Sequence, residues 1–259
     1  MTPSPVSTLT PVIRVRDLRV AYNGAPAIED VSFDVRAGER VAIIGPNGAG
    51  KSTVIKAVMG LLQPRAGSVE VPGGLGRLGY VAQHEAVNWG FPVTVRDVVM
   101  MGRARHIGWL RPPRRADWQA VEAALARVGL ADLGRRQVGE LSGGQRRRVF
   151  IARALAQEAD TLLLDEPFSG VDASAQSSIM DVLDTLNADG LTIVISTHDL
   201  GLAFHRFDRV LALRGRVIAF DTPQVVYRPE VLSRLYGGRL ATWDDGQQVF
   251  VFVDDHNCC

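Results

Sequence analysis

The nine residues GPNGAGKST, Gly45–Thr53, contain three glycines and a lysine. A run with so few side chains buries little apolar surface, so core packing gives no reason for it. Its flanks do. ERVAIIG before it carries the apolar, β-branched Val41, Ile43 and Ile44 and reads as a buried strand. STVIKAVMGLL after it repeats Val54, Ile55, Val58 and Leu61 or Leu62 at helical spacing. Strand, glycine loop and helix follow one another, and Gly45, Gly50, Lys51 and Ser52 match G-x-x-x-x-G-K-[ST] in the context that pattern requires. Glycines let backbone N–H groups wrap a phosphate chain without Cβ clashes. The helix start adds unpaired donors and the positive end of a dipole. Lys51 is expected to reach the β- and γ-phosphates of ATP, and Ser52 to offer its hydroxyl to Mg²⁺. Pro46, Asn47, Gly48, Ala49 and Thr53 complete the expected nucleotide-binding run.

A phosphate loop of this kind needs a carboxylate-bearing strand, and DTLLLDEP supplies one. Leu162, Leu163 and Leu164 predict a short buried strand ending in Asp165 and Glu166. Two adjacent acids at the end of an apolar strand are costly without cationic company. Asp165 is expected to help hold Mg²⁺ and Glu166 to polarise the attacking water as general base. Read in isolation, the same pair also fits an exposed strand-to-turn step before Pro167. Upstream, LSGGQRRRVFIARAL places Ser142 to cap a helix, Gly143 and Gly144 in its first turn, and Val149, Ile151, Ala152 and Leu155 along an apolar face. It looks like a second anion-binding surface.

With that stretch the sequence resembles the ATP-binding-cassette (ABC) ATPases, whose signature is LSGGQ (Leu141–Gln145) just upstream of the acidic strand. The resemblance runs from Ile13 to about Tyr236. It implies an α/β fold: a P-loop NTPase, RecA-like core with an N-terminal antiparallel β-subdomain and an inserted α-helical subdomain. It further implies two cassettes pairing head to tail as a homodimer, with Leu141, Ser142, Gly143, Gly144 and Gln145 of one reaching the γ-phosphate of ATP on the other. Tyr22 in VAYNG matches the aromatic that stacks on adenine, though a strand tyrosine before an Asn-Gly turn fits the same residues. Gln83 in GYVAQ matches the glutamine that senses Mg²⁺ and water and touches the transport partner. Ala82 stands where the family often has proline. Asp172 in SGVD matches the loop that crosses the dimer interface. His198 in VISTHDL follows another predicted buried strand, LTIVIS, and matches the histidine that contacts the γ-phosphate. Arg147 stands where many members have glutamine, a departure that puts little in doubt.

The predicted layout is a flexible tail over residues 1–11, an ABC ATPase domain over 12–236 with its helical subdomain at about 87–155, and a C-terminal strand and tail over 237–259. Within the subdomain, RADWQAVEAALARVGL predicts a helix capped by Asp117 with Val121, Leu125 and Val128 on one face. Thr222 and Pro223 start another through Val225 and Val226. The C-terminal Asp254, Asp255, His256, Cys258 and Cys259 are possible metal ligands, but adjacent cysteines are poorly placed to chelate one ion by themselves.

Composition narrows the function classes. The chain has 259 residues, with 29 basic against 28 acidic, so no net charge argues for nucleic acid. Its apolar runs are strand-length, far short of the roughly 18 residues of a membrane span. The Pro/Ser/Thr-rich start lacks signal-peptide character, and the only cysteines are Cys258 and Cys259. These features predict a cytoplasmic protein; the resemblance implies that it is peripheral on the inner face of the membrane, working with separate integral-membrane permease subunits and indirectly with an extracytoplasmic solute-binding protein. After Gln83, HEAVNWGFPVTVRDVVMMGRARHIGWLRPP mixes Trp89, Phe91, Trp109, Met100 and Met101 with arginines, as protein interfaces do. Its wording resembles the ATPases of manganese, zinc and iron importers. Siderophore, haem or cobalamin import, an exporter and a soluble non-transport ABC ATPase remain the other readings. Metal selection is expected to lie outside this chain, in the binding protein and permease.

Overall fold

The computed structural model describes residues 11–83, 92–108 and 111–237 with their side chains, and 240–244 and 249–253 as backbone. In chain order the strands and helices are β1 (Pro11–Tyr22), β2 (Ala25–Arg36), β3 (Arg40–Ile44), α1 (Lys51–Val58), β4 (Ala66–Glu70) and β5 (Leu78–Val81). Then come α2 (Val95–Met100), α3 (Ala104–Ile107), α4 (Arg115–Arg127), α5 (Gly143–Ala156), β6 (Thr161–Asp165), α6 (Ala173–Ala188) and β7 (Thr192–Ser196). The chain continues through α7 (Leu200–Arg206), β8 (Arg209–Arg214), β9 (Arg216–Asp221), α8 (Pro223–Val226), α9 (Pro229–Tyr236), β10 (Leu240–Asp244) and β11 (Val249–Val253). The fold is α/β. Backbone contacts group the chain into two units. Unit one holds residues to Ile13, Asp34–Glu39 and Glu70–Ile195; unit two holds Arg14–Phe33, Arg40–Val69 and Ser196 onward.

In unit two, Asn23 and Gly24 both take positive φ (48° and 90°) and turn β1 back on β2, the two-residue hairpin geometry that Asn-Gly favours. The sheet order there is β2-β1-β4. Val15, Leu18 and Val20 of β1 and Ile28, Val31 and Phe33 of β2 are buried. In each strand the alternation slips by one residue, at Asp17 (φ 46°) and Asp30 (φ 51°), as an inserted bulge residue does. The other layer of this unit is β3, parallel to β8 from Val41↔Arg209 to Ile44↔Ala212, with β9 antiparallel beyond. Val41–Ile44 and Val210–Leu213 are buried without interruption, the pattern of strands covered on both faces. The predicted VAII strand is β3. The predicted helix after the glycine loop is shorter than its apolar spacing suggests. It ends at Val58, because Gly60 turns left-handed (φ 70°) and the N–H groups of Gly60 and Leu61 close back on the Ala57 and Lys56 carbonyls. Leu61 therefore lies outside the helix and is exposed.

In unit one, β5 runs parallel to β6, Leu78↔Thr161 to Val81↔Leu164, with β7 beside β6. Helices α2, α4 and α5 pack on one another through Val95, Val98, Val99, Val121, Leu125, Val149 and Ile151, all buried. The predicted face of α4 is present at Val121 and Leu125, while Val128, buried too, is the C-cap just past the helix. The predicted cap at its start is not present: the N-cap is Arg114, and Asp117 sits at the third helical position and accepts the Arg114 N–H from inside the helix. That hydrogen bond, with the Arg111 guanidinium, holds the Asp117 carboxyl below the usual carboxylate range. The buried Arg103 guanidinium donates to the Ala156 carbonyl and to Glu158, whose carboxyl is also held low, first by that bond. Gly102 lets this segment lie directly on the Arg153 carbonyl at the end of α5. Among the described residues no helix is long and apolar enough to cross a membrane. Trp89, Phe91, Trp109 and the C-terminal Asp254, Asp255, His256, Cys258 and Cys259 lie outside the described residues.

Candidate active site

The glycine loop of unit two leaves β3 at Ile44 and enters α1 at Lys51. Gly45 (φ 154°) lies so close to β8 that a Cβ there would overlap the Leu213 carbonyl. Gly50 (φ 97°) would overlap the buried Ile28 side chain. Both glycines are thus demanded by the protein's own packing as well as by any ligand. Lys51 is buried, and its Nζ donates to the Gly45 carbonyl (2.8 Å) and the Pro46 carbonyl (3.3 Å), spanning the loop. The loop's Ala49 N–H donates to the Pro46 carbonyl (3.1 Å), and Gly215 N–H to the Ala49 carbonyl (2.9 Å), tying the loop to the β8–β9 turn. No side chain caps α1, whose N-cap is Gly50. A helix start without a side-chain cap, a lysine across the loop and left-handed Gly48 make a donor set suited to a chain of phosphates. The half-buried Ser52 hydroxyl, next along, is the hard oxygen donor that Mg²⁺ prefers. Thr53 is buried and its Oγ1 lies 3.5 Å from the Tyr22 hydroxyl; Tyr22 itself ends β1 and is 45% exposed. That exposed ring beside the turn fits a stacking surface and a strand-end tyrosine alike. His198 is exposed just past Thr197, whose N–H donates to the Ile43 carbonyl (3.0 Å).

Unit one brings its own predicted residues together. Strand β6 ends at buried Asp165, and Glu166 follows with left-handed φ (44°), uncommon for a residue with a Cβ and costing about 1–3 kcal/mol. Strain at a carboxylate on a strand end is a mark of function when the surroundings hold it there. Gln83 Nε2 donates to Glu166 Oε2 at 3.0 Å. The carboxylate before it, buried Asp165, is a hard oxygen donor of the kind that suits Mg²⁺. At the start of α5, Ser142 Oγ accepts the Gln145 N–H (3.3 Å) and Gln145 Oε1 accepts the Ser142 N–H (3.0 Å), a reciprocal capping box. Leu141 is buried beneath it, Gly143 is exposed, and Gly144 is buried. Asp172 caps α6, accepting the Ala175 N–H at 2.8 Å. Ser142, Gly144, Gln145, Arg148, Asp172 and Ala175 line a cleft of about 260 Å³. The Arg148 guanidinium there donates to the Val128 carbonyl, and burial lowers its pKa.

Sequence reasoning passed over one residue of this site. Arg147, set aside as a harmless departure, donates to the Ala82 carbonyl (2.8 Å) and the Gln83 carbonyl (3.3 Å). The departure from glutamine was itself the available signal, since arginine offers a fork of donors where glutamine offers one amide.

Residues 28–169 match the family model described as ABC transporter. The chain is 44% identical over 238 residues to the manganese transport system ATP-binding protein of Bacillus subtilis (strain 168), covering 90% of this chain and 95% of that one. It is 43% identical to the zinc transport system ATP-binding protein of Treponema pallidum (strain Nichols), covering 92% and 91%. It is likewise 43% identical to the chelated iron transport system membrane protein of Yersinia pestis, covering 89% and 80%. Among solved structures it is similar to an inward-facing ABC transporter assigned to the metal-chelate type, with a TM-score of 0.81 and 29% identity, covering 93% and 96%.

Proposed function

The chain belongs to the ABC transporter family and is an ATP-binding, ATP-hydrolysing subunit, and from that premise we propose that it powers import of a transition metal ion, manganese, zinc or iron, through a separate membrane permease. The observation that carries this reading is identity of 43–44% over about nine-tenths of the chain to ATP-binding proteins named for manganese and zinc transport. The chelated-iron relative widens the cargo to iron and its chelates.

In this reading the Gly45–Thr53 loop binds the phosphates, with Lys51 on the β- and γ-phosphates and Tyr22 against adenine. Ser52 and Asp165, with Gln83, hold Mg²⁺, which neutralises charge on the phosphate oxygens when bound. Glu166 accepts a proton from the attacking water, Gln83 orients it, and His198 steadies the γ-phosphate. Two copies pair with two-fold symmetry, so that Leu141–Gln145 and Asp172 of each copy complete the site of the other. ATP favours the closed pair; hydrolysis reopens it, and the cycle moves the permease between two states. The subunit rides on the inner face of the membrane, and a solute-binding protein outside delivers the metal.

The test is uptake in cells lacking this chain, scanning manganese, zinc, iron and iron chelates, with wild-type and Lys51→Ala copies restored. Loss of one cargo, rescued by wild type alone, is the expected result. Undisturbed uptake of every metal would remove the importer reading.

A further inference from the structure

Beyond the reading above, and resting on the roles it gives Gln83 and Glu166, we infer that Arg147 is a positioning residue: from the signature helix it sets where the Gln83 amide meets the Glu166 carboxylate. The argument starts at the end of β5. Its last pairing with β6 is Val81↔Leu164, so the carbonyls of Ala82 and Gln83 leave the sheet without ladder partners. One side chain takes both. The Arg147 guanidinium spans the two successive carbonyls at 2.8 and 3.3 Å, using two of its terminal nitrogens. No point-like cation reproduces that; a lysine ammonium lacks the planar fork. The next contact outward is Gln83 Nε2 on Glu166 Oε2 at 3.0 Å. The backbone of residue 83 is therefore fixed from α5, and the reach of its amide toward Glu166 is fixed with it.

The geometry also gives Arg147 something to report. It lies three residues beyond Gly144, hence on the same side of α5 and just over one turn from the helix start. That start is pressed against α6, where a Cβ on Gly144 would lie 2.7 Å from Ala175 Cβ. At its other end, α5 carries the Arg153 carbonyl on which Gly102 lies. The intrahelical hydrogen bonds between these two ends make α5 a stiff element. Any shift of its glycine end carries Arg147, then the 82–83 carbonyls, then the Gln83 amide at Glu166. Spatial intermediacy alone does not establish coupling; a double-mutant cycle measures it.

The experiment is a cycle on the full chain with Mg-ATP: wild type, Arg147→Ala, Gln83→Ala and the double variant, with Arg147→Lys beside them and thermal melting of each. A positioning role lowers kcat about tenfold in Arg147→Ala and leaves KM for ATP within about twofold, because Arg147 acts through the 82–83 carbonyls that it holds. In the Gln83→Ala background the same change costs less than about twofold, since Arg147 acts through Gln83. Arg147→Lys, which keeps charge and loses the fork, recovers part of kcat. Losses that multiply in the double variant, or a raised KM with unchanged kcat, overturn the proposal. Should Arg147→Ala fail to fold, the cycle is run with Arg147→Gln, which keeps one donor, and the same two readouts decide. Glu166→Gln is assayed separately. If it turns over normally while the cycle remains non-additive, the role given to Glu166 fails and the Arg147–Gln83 link stands.

Discussion

Helices α1 and α5 both begin behind glycine-rich sequence, yet the chain finishes the two starts in opposite ways. Behind α1 stands Gly50 in left-handed conformation, with no side chain capping the helix and Lys51 folded across the loop onto Gly45 and Pro46. Behind α5 stands Ser142, in a capping box that commits its hydroxyl and the Gln145 amide to the helix's own N–H groups. The first start supplies donors and a cation; the second has already satisfied part of its own ends. Glycine-rich helix starts are thus two different devices here. One is an open donor set with its own cation, suited to phosphates without help from another chain. The other is a shaped surface, lining a cleft with Asp172 and Arg148, suited to a group delivered by something else. The proposed pairing of two copies accounts for that division.

The largest test of the comparison is Lys51→Ala. If the α1 start is the phosphate site, loss of its cation lowers kcat for ATP hydrolysis by about 10³-fold, the upper range for removing one preorganised charge stabiliser. Phosphate release by the purified chain measures it, with circular dichroism to verify the fold. A loss smaller than about tenfold would move the phosphate site elsewhere.

A paired substitution comes next in size. Gly50→Ala forces a Cβ into a left-handed position already occupied by Ile28, and should destabilise unit two by about 3 kcal/mol, combining backbone strain with overpacking. Gly144→Ala meets the Ala175 Cβ at 2.7 Å and its Cα at 3.5 Å, but in ordinary helical conformation. There the overpacking cost is partly offset by a helix-propensity gain of about 1 kcal/mol, leaving a net loss of about 1 kcal/mol. Urea unfolding of the two variants compares them directly. Equal losses would mean that the two glycines serve the same purpose.

The sequence carried the local structure of the candidate α1 site almost whole, and that of the candidate α5 site only in part. Strand, loop and helix around Gly45–Thr53 are written in local spacing, because every residue of that cradle is close in sequence to the next. Only the end of α1 misled: Leu61 continues the apolar spacing, but Gly60 in left-handed conformation stops the helix first. In unit one the local features were equally readable, including β6, the Ser142 cap and the buried face of α4. What could not be read were relations between distant residues. Arg147 reaches carbonyls 64 and 65 positions away, and Gln83 reaches a carboxylate 83 positions away. The left-handed φ of Glu166 is also silent in a residue whose type disfavours it. Asp117 was misplaced for a smaller reason: a carboxylate at the first turn caps equally well from the third helical position, and only the Arg114 N–H reveals which.

The smallest expected effect sharpens the comparison most, because it separates the two roles of one hydroxyl. Ser142→Ala removes the acceptor for the Gln145 N–H and should cost about 1 kcal/mol of stability, the usual loss for a serine cap. If capping is all that Ser142 does, ATP hydrolysis by the folded variant is unchanged, and Ser142→Asp, which caps as well as serine, is indistinguishable from wild type in both assays. If the hydroxyl also meets an anionic group on a second copy, the two variants part company. Ser142→Asp then keeps the stability and loses turnover, since a carboxylate repels phosphate, while Ser142→Ala loses a little of each.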